Sequence, residues 1–148
     1  MSNTFATNKK AFFDYEIKDT IEAGIVLKGY EVKSVKNSHM SLTGSYATFH
    51  GDELFLINTT ISEYQAKNQP RDYDKNASHK LLLKKRELEN LIRQVKEKKM
   101  VLIPLKVYLK NNIIKVEIGI GKPKKKYDKR ESLKDKAEKK AIKIALKN

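Results

Sequence analysis

The sequence predicts a mainly β fold with flanking helices: a small antiparallel β-barrel over residues 1–121, followed by a basic C-terminal tail over 122–148. Three observations predict it. Two pairs of β-prone runs each flank a turn, one helix pattern is strongly amphipathic, and the composition changes abruptly after Gly121. At 148 residues the chain can bury one real core but not two large ones. Cysteine is absent, so packing alone must hold that core.

Taken in order, Ala11 to Ile17 reads as extended chain, because Phe12, Phe13, Tyr15 and Ile17 favour strands. Ile21 to Leu27 is a second apolar run, and Lys28-Gly29 lets the backbone turn after it. Tyr30 to Lys36 suits a short amphipathic helix with Val32 and Val35 inward and Glu31, Lys33, Ser34 and Lys36 facing elsewhere. Tyr46 to Phe49 and Leu54 to Asn58 flank His50-Gly51-Asp52-Glu53 and predict a hairpin. Ser62 to His79 is polar throughout and reads as a functional or mobile loop. It leads into Lys80-Leu81-Leu82-Leu83 and then a helix, in which Leu88, Leu91, Ile92 and Val95 recur at helical spacing. The second hairpin pairs Val101 to Leu109 with Ile113 to Ile120 around Asn111-Asn112, one face buried and one wet. Short antiparallel strands covered by an amphipathic helix suggest a closed or partly open barrel, of which the OB type is a frequent RNA binder. A split α+β sandwich would show nearly the same periodicities.

Lys and Arg number 32 against 18 Asp and Glu, a formal charge of +14, which makes a polyanion the leading partner. From Lys122 to Asn148 there are 12 basic and 4 acidic residues, so the tail holds +8 of that charge. Leu133, Ala137, Ala141, Ile144 and Ala145 fall near one helical face, but a stripe made mostly of alanine supports an isolated helix poorly. The tail is therefore expected to be disordered when free and helical against an anionic partner. Basic residues interleave with aromatics at Lys9, Lys10, Phe12 and Tyr15, and again where Tyr127 stands among Lys124, Lys125, Lys126, Lys129 and Arg130. Lysines supply phosphate attraction and an exposed tyrosine can stack on an unpaired base. Lys84, Lys85 and Arg86 form a third basic cluster.

Catalytic and metal patterns are missing. His39, His50 and His79 stand singly in polar loops, which predicts exposed histidines without a metal partner. Asp72 and Asp74 read as a solvated charge cluster. Gly119-Ile120-Gly121-Lys122 lacks the early glycine and the Ser or Thr of a phosphate loop. No cofactor and no catalytic residue are expected. The polar N-terminus and the lack of a run of about 18 apolar residues point away from secretion or membrane insertion and toward the cytoplasm.

Several stretches together resemble one family, SmpB, the tmRNA-binding (SsrA-binding) proteins of bacterial trans-translation. They are Asn8-Lys9-Lys10-Ala11 with Phe13-Asp14-Tyr15, Glu22-Ala23-Gly24-Ile25, Glu31-Val32-Lys33-Ser34, Ser45-Tyr46-Ala47, Lys80-Leu81-Leu82-Leu83, Pro104-Leu105 and Tyr127-Asp128-Lys129-Arg130-Glu131. The resemblance implies an OB-type barrel that binds the tRNA-like domain of tmRNA, and a tail that folds in the decoding centre and empty mRNA channel of a stalled ribosome. It implies a non-catalytic, monomeric adaptor that delivers tmRNA to the A site. The runner-up reading is a general ribosome-associated or RNA-chaperone module.

By resemblance, Glu31, Lys33 and Ser34 are expected at tmRNA, with Glu31 accepting from a base edge or holding a neighbouring lysine. Asn8, Lys9, Lys10, Lys84 and Arg86 are expected supporting contacts, and Lys124, Lys125, Tyr127, Asp128, Lys129 and Arg130 match the ribosome-contacting tail. The chain departs from the family where Ala77, Ser78 and His79 replace arginines before Lys80, where Lys99 replaces a glycine, and at Pro123. Pro123 removes a backbone donor and is expected to separate barrel from tail.

Overall fold

The structure is a computed structural model that describes residues 3–63 and 76–125. The expected helix of the tail, with Tyr127, Asp128, Lys129 and Arg130, and most of the expected polar loop lie outside the described residues.

Element order is β1 (Thr4–Thr7), α1 (Lys9–Asp14), β2 (Tyr15–Ile25), α2 (Gly29–Lys36), β3 (Met40–Ser41), β4 (Tyr46–His50), β5 (Glu53–Ile57), β6 (Thr60–Ile61), β7 (His79–Leu82), α3 (Lys85–Glu97), β8 (Val101–Lys110) and β9 (Ile113–Pro123). The strands run β8-β4-β5-β7-β2-β9 and close where β9 pairs again with β8, with β1 added alongside β8. All these pairings are antiparallel. The β8–β9 pairing closes the barrel, β1 remains the outer strand of that sheet, and β3 with β6 forms a separate small ribbon.

Both expected hairpins form. Asn111 and Asn112 take φ of 51° and 63°, the left-handed pair that a tight two-residue turn between twisted strands requires. Along β9, Ile114, Val116, Ile118 and Ile120 point into the barrel against Leu54, Leu56, Leu81 and Val107. Leu91 of α3 is fully buried in the same cluster, so its apolar stripe covers part of this interior.

The chain start differs from expectation. Residues 9–14 are helical, not extended, and the strand begins only at Tyr15. The two runs expected at Ala11 to Ile17 and Ile21 to Leu27 thus give one short helix and one long strand, irregular between Ile17 and Asp19. Tertiary packing overrides the β preference of Phe12 and Phe13, because Ala11 is buried against Ile103 and Leu105 in a second small core. That core also alters the second hairpin. Its wet face is covered at Ile103, Leu105, Gly119 and Gly121, where both sides of the sheet are buried. A side chain at Gly121 would run into the backbone of Glu16 and Ile17, so only glycine allows β2 and β9 to approach there.

The β2/β9 ladder does not stop at Gly121. Lys122 pairs with Glu16 and Pro123 with Tyr15, and the Lys124 amide then donates to the Asp14 carbonyl at 2.9 Å. Proline is tolerated because it is the last residue of the strand.

Candidate nucleic-acid interface

Two helical regions and one cavity carry the residues of interest. In α1, Asn8 stands just before the helix and is buried. Its Nδ2 donates to the carbonyls of Leu42 at 3.3 Å and Pro104 at 3.0 Å, and its backbone N–H donates to Leu105 at 2.7 Å. Asn8 therefore ties the helix to β8, and its amide group is occupied by protein. Lys9 and Lys10 are exposed on the turn that follows.

In α2 the inward face is Glu31, Ser34 and Val35, an i, i+3, i+4 set. This corrects the expectation that Glu31 and Ser34 face away from the core. Glu31 is only 4% exposed. Its Oε1 accepts the Lys28 backbone N–H at 2.8 Å, half of a capping box, and its Oε2 lies 2.5 Å from Nε2 of His79. The carboxylate holds a histidine rather than a lysine. His79 is itself 5% exposed, which corrects the expectation of an exposed loop histidine; His39 and His50 are exposed as expected. With a carboxylate as acceptor, Nε2–H is the donor and the pair bolts α2 to β7 across 48 residues of sequence. Burying either partner alone would be costly, so each accounts for the other. Ser34 is fully buried and its Oγ donates to the Tyr30 carbonyl at 3.3 Å, while Lys33 is exposed between these anchors.

At the start of α3, Lys84 and Arg86 are exposed, and Glu87 caps the helix by accepting the Lys84 N–H at 2.9 Å. Lys124 is half-buried and Lys125 exposed where the chain leaves β9. The structure thus brings Lys124 to α1 and Glu31 to His79, but places the α3 start and the α2 anchor on different elements.

The cavity, about 680 Å³, lies between α1, residues 43–52, the end of α3 and the start of β8. Tyr15, Tyr46, Phe49, Met100, Lys10 and Lys96 are among the residues that line it. No sequence signal marks it, because four separate segments build it.

Charge is arranged unevenly. Lys18 pairs with Glu16, Lys80 with Glu53, Lys106 with Glu117 and Lys110 with Glu22, all on strands. Glu22 also accepts a hydrogen bond from the Tyr108 hydroxyl, which holds its carboxyl below the usual range; burial and Glu22 together push the Tyr108 hydroxyl up. By contrast Lys9, Lys10, Lys33, Lys36, Lys85, Arg86, Arg93 and Lys96 stand on helices, and none is ion-paired with another described residue. Among the described residues no three His, Asp or Glu side chains gather to hold a metal ion. No helix among them is long and apolar enough to cross a membrane.

A closed barrel that pairs Lys18, Lys80, Lys106 and Lys110 of its strands with carboxylates and, among the described residues, leaves its helix lysines without an ion pair defines a class of protein, the small basic barrel suited to a polyanion. The model of the SmpB protein family matches residues 5–148. The SsrA-binding protein of Oceanobacillus iheyensis is 47% identical over 144 residues, covering 97% of this chain and 92% of that one. That of Geobacillus thermodenitrificans is 46% identical over 141 residues, covering 95% and 90%. A solved chain reported as "tmRNA-SmpB: a journey to the center of the bacterial ribosome" has a TM-score of 0.66 and 40% identity, covering 86% of this chain and 92% of its own. The chain belongs to the SmpB family.

Proposed function

We propose that this protein is an RNA-binding adaptor of trans-translation. Its barrel binds the tRNA-like domain of tmRNA, and its basic tail enters the decoding centre and mRNA channel of a stalled ribosome, so that tmRNA reaches the A site and the unfinished polypeptide is tagged. The observation that carries this reading is the set of helix lysines that have no ion pair among the described residues, on a chain whose relatives are named for binding SsrA. Lys9, Lys10, Lys33, Lys84 and Arg86 are the direct contacts, through phosphates. Asn8 and Glu31 act beneath them, holding α1 and α2 in place with hydrogen bonds inside the protein, while buried Ser34 bonds to the Tyr30 carbonyl of its own helix. The protein contributes binding and positioning, not catalysis, and works in the cytoplasm with the ribosome.

Residues 1–121 and 122–148 are two separable contacts in this scheme. Deleting Glu131 to Asn148 should leave tmRNA binding nearly intact and abolish tagging on stalled ribosomes. Loss of both activities together would sink the separation. The adaptor itself is tested by selectivity: tmRNA should bind at least about tenfold tighter than bulk tRNA at matched salt, roughly 1.4 kcal/mol. Equal affinities would instead support a general RNA module.

A further inference from the structure

The cavity beside α1 has the size, walls and rim of a nucleotide site. At about 680 Å³ it falls within the range of roughly 300–1,000 Å³ that small-ligand clefts occupy. Tyr46 stands on its wall 41% exposed, an aromatic side chain that the fold leaves partly uncovered, and Tyr15 and Phe49 add two more rings. Lys10 and Lys96 line it from opposite helices, each exposed and neither ion-paired with a described residue. Lys98 and Lys99 follow on the exposed connection that leads into Met100, which also lines the cavity. Two carboxylates, Asp14 and Asp52, also line the cavity, but Lys98 and Lys99 beside it tip the surroundings toward positive charge, which favours phosphate and disfavours an apolar peptide, whose docking would strip water from Lys10 and Lys96. Asp52, exposed in the β4–β5 turn, is a charged acceptor at the same cavity. A carboxylate there selects a base that offers an exocyclic amine.

We propose that this cavity binds a single unpaired nucleotide of RNA: the base among Tyr15, Tyr46 and Phe49, its flanking phosphates on Lys10 and Lys96, and an exocyclic amine on Asp52. The site rests on the RNA-binding reading above but is separate from α2 and its Glu31–His79 anchor, none of which lines the cavity. Cytosine is preferred over uracil, since the two rings are alike in size and only cytosine carries a donor at position 4.

The test uses the full chain with single-stranded pentacytidylate and pentauridylate at matched salt, alongside intact tmRNA. Pentacytidylate should bind several-fold tighter than pentauridylate, and photo-cross-linking should place it on Tyr15 or Tyr46. Tyr46→Ala and Lys96→Glu should each weaken pentacytidylate by about tenfold, the scale of one stacked base. Asp52→Asn should erase the preference for cytosine. Lys110→Ala, on the strand face, should change neither. Tyr46 and Lys96 are exposed, so both variants keep the core, and an unchanged melting curve would verify this. Pentacytidylate binding that ignores both variants, while tmRNA still binds, overturns the site and leaves the adaptor reading standing. Equal binding of the two oligonucleotides overturns the role of Asp52. Loss of tmRNA binding by the unaltered chain would overturn the adaptor reading itself.

Discussion

Four strand lysines and the helix lysines of this barrel are held in opposite ways. Lys18, Lys80, Lys106 and Lys110 lie beside carboxylates, at 2.8 to 3.6 Å, and their charge is largely cancelled where it stands. Among the described residues Lys9, Lys10 and Lys33 have no such partner. What fixes them is buried and lies beneath: Asn8 under α1, and Glu31 with His79 under α2. An ion pair positions a cation and uses it up. A buried anchor positions the helix and leaves the cation outward, which is what a phosphate-binding surface needs. The difference teaches that on a chain of net +14 the location of unpaired charge says more about the interface than its amount.

The anchor is the point at which this contrast is most exposed to failure. Glu31→Ala leaves His79 buried beside nothing and also removes the acceptor for the Lys28 amide, so it should cost about 3 kcal/mol of stability, on the scale of a broken buried pair. His79→Ala should cost somewhat less, about 2 kcal/mol, because the Lys28 contact survives. The double variant should cost clearly less than the sum, measured by urea unfolding in a double-mutant cycle. Additive costs would mean that the pair is not a unit. Because Glu31 acts through α2, its RNA defect should be rescued in part by Glu31→Gln, which keeps a side-chain oxygen for Lys28, whereas a carboxylate that touched RNA directly would not be replaceable in this way.

Next in size is Gly121→Ala, for which about 2 kcal/mol of destabilisation is expected, since the added methyl meets fixed backbone of β2 rather than a movable side chain. Thermal melting reads this out, and a neutral result would mean that β2 and β9 can part there. Smaller still is the comparison of lysines. Lys33→Ala should weaken tmRNA binding by roughly 1 kcal/mol and lower the salt slope by just under about one unit, while Lys106→Ala should leave both unchanged. Equal effects at the two positions would dissolve the contrast.

How much of this could be read from residues follows from what each element depends on. The β8–β9 hairpin and α3 were legible because alternation around Asn111-Asn112 and the Leu88, Leu91, Ile92, Val95 spacing are local patterns. The α1 helix was not, because six residues with two phenylalanines carry a strand preference that only the contact of Ala11 with Ile103 and Leu105 overturns. β1 was missed for the same reason, as it exists by pairing with β8. The basic residues expected at tmRNA, Lys9, Lys10, Lys33, Lys84 and Arg86, are exposed, whereas Asn8, Glu31 and Ser34 are buried. Motif matching picks out both kinds alike, and only burial tells a contact from an anchor. His79 offered no signal, since its partner is 48 positions away, and the cavity gave none because four segments meet to form it.

The strand face should also show its self-neutralised character in acid. Glu22 is held below its ordinary range first by the Tyr108 hydroxyl and then by Lys110. A carboxyl whose folded pKa lies below its unfolded value of about 4.3 contributes stability above that value and loses it as pH falls through the folded pKa. Unfolding free energy should therefore decline on acidification below about pH 4.3, and Tyr108→Phe, which removes the leading donor, should flatten that decline. Glu22 has a side chain 35% exposed, so solvent screening keeps the effect under about 1 kcal/mol. Urea titrations of the two proteins from neutral pH into acid would measure it. An identical slope would mean that the hydroxyl does not hold the carboxylate, and that the strand face owes its neutrality to the lysine pairs alone.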